Sequence, residues 1–211
     1  MSVAVFGDSG RLGQAFIRQA TDAGFLLRLH YRAKPSEEVP VESTVVVGSL
    51  ADPTAVREVL RGAEAAVVCF GHKRDARVPF CAAATRVIID TMKTLEQSRL
   101  LVVTGAMVGA SQSGLSTGMR LMELAVRRMA PERMMEDRDE QERLVRASNL
   151  GGWTVIKPPR LTEGVATTAV NAGPDRTVGL LSSISRPSLA EWMVQELKSP
   201  QHLQQAVYVA A

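Results

Sequence analysis

The sequence has few of the features that mark specialised classes of protein. It contains only two cysteines, Cys69 and Cys81, both in apolar surroundings. They have no second pair and no nearby cluster of histidines, so we expect reduced, buried thiols and no metal site. No apolar run approaches the roughly 18 residues of a membrane span, and the N-terminus passes into an apparent strand without a basic signal segment. We therefore expect a cytoplasmic protein that does not bind membranes.

Charge of one sign is also scarce. Lysine and arginine number 25 against 22 acidic residues, for a formal net charge of +3. This mild surplus does not favour a nucleic-acid partner. Apolar residues make up 45% and charged residues 22% of the chain, as in ordinary globular proteins. A length of 211 residues suits one well-filled α/β core and is short for two, so we expect a single domain over residues 1–211.

Short β-branched runs alternate along the chain with longer segments of helical periodicity. This pattern is typical of βαβ units and of a parallel sheet buried on both faces. It predicts an α/β, Rossmann-type doubly wound sheet in the order 3-2-1-4-5-6, with ligand outside the carboxyl ends of the strands. The predicted strands are Val3–Phe6, Phe25–Tyr31, Thr44–Val47, Ala65–Phe70, Leu100–Thr104, Thr154–Lys157 and, as an optional seventh, Ala206–Val209.

Helices are predicted over Arg11–Ala23, Pro53–Arg61, Phe80–Gln97 and Glu132–Ser148. The Gly/Ser-rich stretch Gly105–Gly118 and the stretch Pro158–Gly173 are predicted to be loops beside the cleft. They belong to two broader regions, residues 105–135 and 158–185, that we expect on the substrate side.

Three glycines, Gly7, Gly10 and Gly13, follow the first predicted strand in "GDSGRLG". The first ends the strand and the third lies in the first helical turn, so the backbone amides between them can face a pyrophosphate at the helix N-terminus. Gly13 allows the helix to approach the sheet. A tight turn without a ligand is the alternative, but the strand and helix on either side favour dinucleotide binding.

The second predicted strand ends in "RLHYRAKPS". A free ribose 2′-hydroxyl is usually bound by an acidic residue at this position, whereas a 2′-phosphate favours an arginine. Arg32, with Lys34 and Ser36, therefore favours NADP(H) over NAD(H). A solvated basic turn is the alternative interpretation.

Four stretches together resemble a known family. They are "VFGDSGRLG", "VVVGSLADPTAVREVLRGAEAAVVCFG", "LLVVTGAM" and "DRDEQERLVRASNLGGWTVIKPPRLTEG". The chain is similar over nearly its whole length to the atypical short-chain dehydrogenase/reductases with NmrA-like or NAD(P)H-binding domains, including the biliverdin reductase B and flavin reductase group.

The resemblance implies a cofactor site along the carboxyl ends of the strands. Its expected residues are Gly7, Ser9, Gly10, Arg11, Leu12 and Gly13 at the pyrophosphate, Arg32 at the 2′-phosphate, Leu50 at the adenine, Phe70 and Gly71 at the adenosine ribose, and Thr104, Pro158 and Pro159 at the nicotinamide.

Two positions depart from the family pattern. Ser49 stands where relatives have an aspartate before Leu50, which puts an adenine contact there in doubt. Arg138 stands where many relatives have a lysine, four residues before the acid that is Glu142 here. An arginine cannot release a proton near neutral pH, but it can hydrogen-bond the nicotinamide ribose.

The usual proton donor of the superfamily is missing. Its Tyr-x-x-x-Lys motif uses a lysine to lower the pKa of a catalytic tyrosine. Here Tyr31 is followed four residues later by Pro35, and Tyr208 is too near the C-terminus to have such a partner. The serine that follows the threonine of strand five in the biliverdin and flavin reductase group is Gly105 in this chain.

Other groups remain as candidates for the chemistry. His72 follows strand four at the cleft edge and has a suitable unperturbed pKa for a proton donor; covering the cofactor is its alternative role, and His30 and His202 are expected to be structural. Thr104 and Arg138 complete the candidate catalytic set. Loop hydroxyls that reach the cleft are a further option, namely Ser111, Ser113, Ser116 and Thr117.

Five methionines lie in or beside the predicted substrate-side region. Methionine adapts to flat aromatic ligands, but a core role is slightly favoured. They are Met119, Met122, Met129, Met134 and Met135.

These features favour an NADPH-dependent reductase that transfers hydride to a flat conjugated or aromatic acceptor, such as a flavin, a quinone or a related carbonyl compound. The delocalised product anion would need no dedicated acid. Two alternatives stay open: a non-catalytic NADP(H)-binding redox sensor of NmrA type, and, less favoured, an NADP-dependent isomerase or epimerase. The sequence leaves the substrate and the oligomeric state, including a homodimer, undecided.

Overall fold

The structure is a computed structural model that describes residues 1–35, 38–72, 78–109, 113–129, 133–167 and 169–211. Its centre is an eight-stranded sheet in the order β3-β2-β1-β4-β5-β6-β10-β8. All neighbouring strands are parallel except β8, which runs antiparallel to β10. The ten strands are β1 Ser2–Phe6, β2 Leu26–Tyr31, β3 Thr44–Val47, β4 Ala65–Val68, β5 Arg99–Val103, β6 Gly152–Lys157, β7 Arg160–Thr162, β8 Asn171–Gly173, β9 Ser183–Ser185 and β10 Gln205–Ala210.

Six helices connect the strands within the described part of the chain. One apolar cluster on the sheet includes side chains of the first and last helices, and a second, on the other face, includes side chains of the second, third and fifth. This two-sided cover explains why the central strands are apolar at nearly every position. The helices are α1 Arg11–Asp22, α2 Pro53–Leu60, α3 Cys81–Thr94, α4 Thr117–Met129, α5 Met134–Arg146 and α6 Arg186–Lys198.

The predicted fold and strand order are confirmed. The seventh strand is present as β10, and the sheet continues to β8 beyond it. Every predicted strand and helix has a counterpart whose ends differ by three residues or fewer. No described helix is long and apolar enough to cross a membrane.

Three parts of the prediction were wrong. The loop predicted over Gly105–Gly118 ends in the first residues of α4, and the loop predicted over Pro158–Gly173 contains β7 and β8. The prediction also listed no helix where α4 and α6 lie. β7 pairs in parallel with β9 to form a separate two-stranded sheet, a pairing that three-residue strands do not reveal in a sequence.

Candidate functional site

The turn between β1 and α1 is shaped by its glycines. Gly7 has a φ of +95°, a left-handed conformation that favours glycine. A side chain there would collide with the backbone of Cys69 and Phe70, and one at Gly13 would collide with the backbone of Gly7 and Asp8. The expected close approach of helix and strand is therefore present. Gly10 differs, since its backbone amide donates to the Gly7 carbonyl at 3.2 Å and a side chain there would meet only that oxygen.

The N-terminus of α1 has the properties of an anion site. Gly10 is its N-cap and supplies no side-chain hydrogen bond, so the first-turn amides, from Arg11 onward, have no partner within the helix. Ser9, Gly10 and Arg11 are exposed and Leu12 is buried. Asp8 is buried and its carboxylate accepts the Ser9 amide at 2.8 Å. The first-turn amides of α1, rather than that of Ser9, are thus available to a phosphate.

The residues expected at the adenosine begin directly after β2. Arg32 and Lys34 are exposed there, while Ser36 lies outside the described residues. Leu50 is half-buried against the second core cluster. The Ser49 hydroxyl accepts the Ala51 amide at 3.1 Å, so this serine stabilises a local turn in the place of the family's aspartate.

The segment after β4 carries the ring of Phe70 and the exposed Gly71. Phe70 is buried and contacts Phe80, with 5.6 Å between ring centroids. Its backbone carbonyl accepts a hydrogen bond from Arg138 at 3.2 Å. Phe70, which we expect at the adenosine ribose, is thus hydrogen-bonded to α5.

Arg138 joins the ends of two strands. One terminal nitrogen of its guanidinium donates to the Phe70 carbonyl and to the side-chain oxygen of Gln141. The other donates to the carbonyls of Val103 and Thr104. The four distances are 2.6–3.2 Å. These bonds fix the positions of the strand ends that border the cleft. The ribose contact expected of Arg138 remains a prediction.

The residues expected at the nicotinamide lie where β5 and β6 end. The Thr104 amide donates to the Ile156 carbonyl at 2.9 Å, and its hydroxyl donates to the same oxygen at 3.5 Å. Pro158 is buried, and its carbonyl accepts a hydrogen bond from the Ala106 amide, while Pro159 is half-buried. The Thr104 hydroxyl is therefore directed into the sheet, which makes it a poor candidate for a proton donor.

Two of the four loop hydroxyls, those of Ser113 and Ser116, have structural partners. The Ser116 hydroxyl accepts the Met119 amide in the first turn of α4. Ser113 donates to the Pro174 carbonyl at 3.5 Å. Thr117 is exposed on α4, and Ser111 lies outside the described residues. The structure thus gives a helix-capping role to Ser116, a role that the sequence analysis did not consider.

His72 lies beside two residues that the sequence analysis did not connect with it. Its Nε2 is 2.9 Å from Oδ2 of Asp137 and 3.6 Å from Sγ of Cys81. Asp137 also accepts the backbone amides of Cys81 and Ala82, at the start of α3. Burial, the largest effect, lowers the pKa of His72 from its ordinary 6.5, although Asp137 opposes this shift. His72 is therefore mainly neutral at pH 7.

A buried charged cluster between β6 and α5 was not predicted from the sequence. Lys157, at the end of β6, is fully buried and lies 3.3 Å from the Glu142 carboxylate. Glu142 also pairs with Arg146, and Lys157 donates to the Val108 carbonyl. Burial lowers the pKa of Lys157. The signal in the sequence was a lysine at the end of an otherwise apolar strand.

Tyr208 acquires a lysine neighbour through strand pairing. The Lys157 ammonium is 5.2 Å from the Tyr208 ring centroid, because the two residues are paired between β6 and β10. Burial raises the pKa of Tyr208 to about 12, and its side chain is almost inaccessible. This pair is thus a structural contact and a poor substitute for the missing acid.

The remaining predicted residues divide between core and surface. Met119 and Met134 are buried, Met135 is half-buried, and Met122 and Met129 are exposed. His30 is buried in β2, and His202 pairs with Glu196 at 2.8 Å. Both thiols are free, with Cys81 buried and Cys69 partly exposed.

Comparison with known proteins defines the class to which this site belongs. A family model described as NAD(P)H-binding matches residues 7–200. The chain therefore belongs to the NAD(P)H-binding family, as the resemblance implied, and has the Rossmann fold of that family.

Solved structures of the same fold cover almost the whole chain. A short-chain dehydrogenase/reductase of Veillonella parvula in complex with NADP is 15% identical, with a TM-score of 0.81, over 100% of this chain and 94% of that one. The anaerobilin reductase ChuY of Escherichia coli is 19% identical, with a TM-score of 0.78, over 99% and 96%. A presumed NADH-flavin reductase of Streptococcus pneumoniae is 20% identical, with a TM-score of 0.73, over 100% and 99%.

Proposed function

We propose that the protein is a cytoplasmic, NADPH-dependent oxidoreductase of the atypical short-chain dehydrogenase/reductase type. It would transfer hydride to a flat conjugated acceptor such as a flavin, a quinone or a related carbonyl compound. The observation that carries this proposal is the uncapped N-terminus of α1 at the carboxyl edge of the sheet, with Arg32 exposed at the end of the neighbouring strand. Together they supply a pyrophosphate site and a cation for a 2′-phosphate.

The choice of acceptor rests on the groups at the nicotinamide side. None of the three candidate groups is well placed to donate a proton. The Thr104 hydroxyl is directed to the Ile156 carbonyl, and the terminal nitrogens of Arg138 bind carbonyl and amide oxygens. His72 is mainly neutral at pH 7 because burial lowers its pKa. A flavin or quinone delocalises the charge that hydride transfer creates, so water can supply the proton. The protein's contribution would be to position the two reactants.

The solved structures support the proposal by analogy. One related structure is of an anaerobilin reductase, one of a presumed NADH-flavin reductase, and one was solved with NADP. At 15–20% identity these proteins share the fold with this chain. Function must therefore be argued from the site.

A redox sensor is the competing proposal, and the engagement of Thr104 and Arg138 in structural hydrogen bonds favours it. Both proposals require NADPH binding, but only the reductase consumes NADPH when an acceptor is present. The test is NADPH oxidation, followed by the loss of nicotinamide absorbance, with a panel of flavins and quinones, beside a binding titration. Acceptor-dependent oxidation supports the reductase, and binding without oxidation supports the sensor.

A further inference from the structure

Three metal-ligating side chains from separate segments converge at the outer edge of the cleft. His72 follows β4, Cys81 begins α3, and Asp137 lies in the first turn of α5. Their ligand atoms Nε2, Sγ and one carboxylate oxygen all lie within 4.8 Å of one another. We propose that His72, Cys81 and Asp137 bind one divalent metal ion of the zinc type.

The geometry fits a shared ion better than a catalytic triad. In a Cys-His-Asp relay the thiol faces one imidazole nitrogen and the carboxylate faces the other. Here the sulfur and the carboxylate oxygen face the same nitrogen, Nε2, at 3.6 and 2.9 Å. The Cys81 thiol also hydrogen-bonds the Asp137 carboxylate, so the three groups face one another. One cation can therefore take the place of the protons that they share.

The two distances from Nε2 can be compared with those that a small tetrahedral ion requires. Zinc bonds of about 2.0–2.3 Å to nitrogen, sulfur and oxygen place neighbouring ligand atoms about 3.3–3.6 Å apart by tetrahedral geometry. The Sγ to Nε2 distance already has this value, and the Nε2 to Oδ2 distance is a few tenths of an ångström shorter. Three protein ligands leave one position for water or a small molecule, as in zinc sites that are not purely structural.

Neighbouring groups hold the three ligands in place. Asp137 accepts the amides of Cys81 and Ala82 at 2.8 and 3.1 Å, which leaves lone pairs on its oxygens for an ion. The edge of the Phe80 ring contacts the His72 ring at 5.4 Å and 88°. Such outer contacts orient metal ligands.

Metal binding to a cysteine depends on pH because the ligand is the thiolate. An ordinary thiol, with a pKa of about 8.5, is protonated at neutral pH. A metal would displace the thiol proton, so binding should release about one proton per ion and weaken as pH falls.

The proposal goes beyond the reductase function, and its test requires no turnover. After removal of bound metal with a chelator, the full chain is titrated with Co²⁺, whose thiolate complexes absorb in the near ultraviolet. We expect one Co²⁺ per chain with this charge-transfer absorption, its displacement by Zn²⁺, and release of about one proton per ion.

Cys69→Ser is the matched control, because Cys69 is the other cysteine and lies outside the cluster. It should keep the absorption, while Cys81→Ser should lose it. His72→Gln keeps the thiol and should weaken Co²⁺ binding roughly tenfold or more, the loss that even outer-shell changes cause. If Cys81→Ser does not fold, His72→Gln decides the matter. Absence of the absorption in wild type, or its persistence in folded Cys81→Ser, would overturn the proposal.

Discussion

Arg32 determines the cofactor preference in this account. Replacement by glutamate would place a carboxylate against the 2′-phosphate of NADPH and would leave the hydroxyl of NADH acceptable. A charge-assisted hydrogen bond contributes about 1.5–3 kcal/mol, so Arg32→Glu should weaken NADPH binding roughly tenfold or more and NADH binding much less. Fluorescence titration with both nucleotides measures this. The control is Arg18→Glu, which makes the same change of charge on the exposed side of α1. Equal losses for both nucleotides in Arg32→Glu would contradict the proposed contact between Arg32 and the 2′-phosphate.

Gly10 separates the binding role of the glycine turn from its folding role. A side chain at Gly7 or Gly13 would collide with backbone, whereas one at Gly10 meets only the Gly7 carbonyl oxygen at 3.2 Å. Gly10→Val should therefore fold and yet obstruct the pyrophosphate. We expect a loss of NADPH affinity with a small change in thermal midpoint.

Gly151→Val is the matched control for this substitution. Gly151 precedes β6 at the opposite edge of the sheet, with open space around it. The control should bind NADPH normally. Undiminished affinity in Gly10→Val would mean that the glycines form only a tight turn.

His72 provides the test of the proton source. A positioned general acid contributes roughly a hundredfold to ten-thousandfold to the rate. Because burial lowers the pKa of His72, we expect His72→Ala to reduce the turnover number by only roughly a few-fold. This loss is smaller than the range expected for a positioned general acid. The rates are compared in the presence of a chelator, so that a metal ion contributes to neither protein. A hundredfold loss with unchanged NADPH affinity would identify His72 as the catalytic acid.

At the scale of elements, α5 is joined to β6 by the buried Lys157–Glu142 pair. Removing one partner of a buried pair costs about 3–5 kcal/mol when the other charge is left uncompensated. Lys157→Met leaves Glu142 paired with Arg146, so it should lower the free energy of unfolding by less than this amount. Glu142→Leu removes a carboxylate from both Lys157 and Arg146 and should cost more, and the loss in the double variant should be smaller than the sum of the two single losses. Urea unfolding of the two single variants and the double variant measures the coupling. Simple additivity would show that the pair is not coupled.

The sheet could be predicted from the sequence because its strands are buried on both faces and therefore form short apolar runs. α4 could not be predicted, since only Met119 and Glu123 of this helix are buried while Leu121 and Leu124 are exposed. α6 lacks a clear polar face because it buries Glu196, which pairs with Arg99 across the core. Periodicity identifies a helix only when its apolar side chains face the core.

At the scale of the whole molecule, parallel strand order explains why the sequence could place several candidate residues at one edge of the sheet. The order places the ends of β1, β2, β4, β5 and β6 on one edge, so residues next to strand ends were easily assigned to it. Contacts between distant elements were not visible. Asp137 meets Cys81 across 56 residues, and Lys157 meets Glu142 between a strand and a helix. Such pairs depend on how helices pack, which spacing along the chain does not specify.

We propose that the molecule as a whole positions NADPH against an acceptor that requires no protein acid. The most direct test is the rate of NADPH oxidation across a series of quinones and flavins of increasing reduction potential, with simple aliphatic ketones as the contrast. We predict rates that rise with the potential of the acceptor and very slow reduction of the ketones, whose alkoxide products need a proton as they form. Efficient NADPH-dependent reduction of aliphatic ketones would contradict it, because that result requires a protein acid.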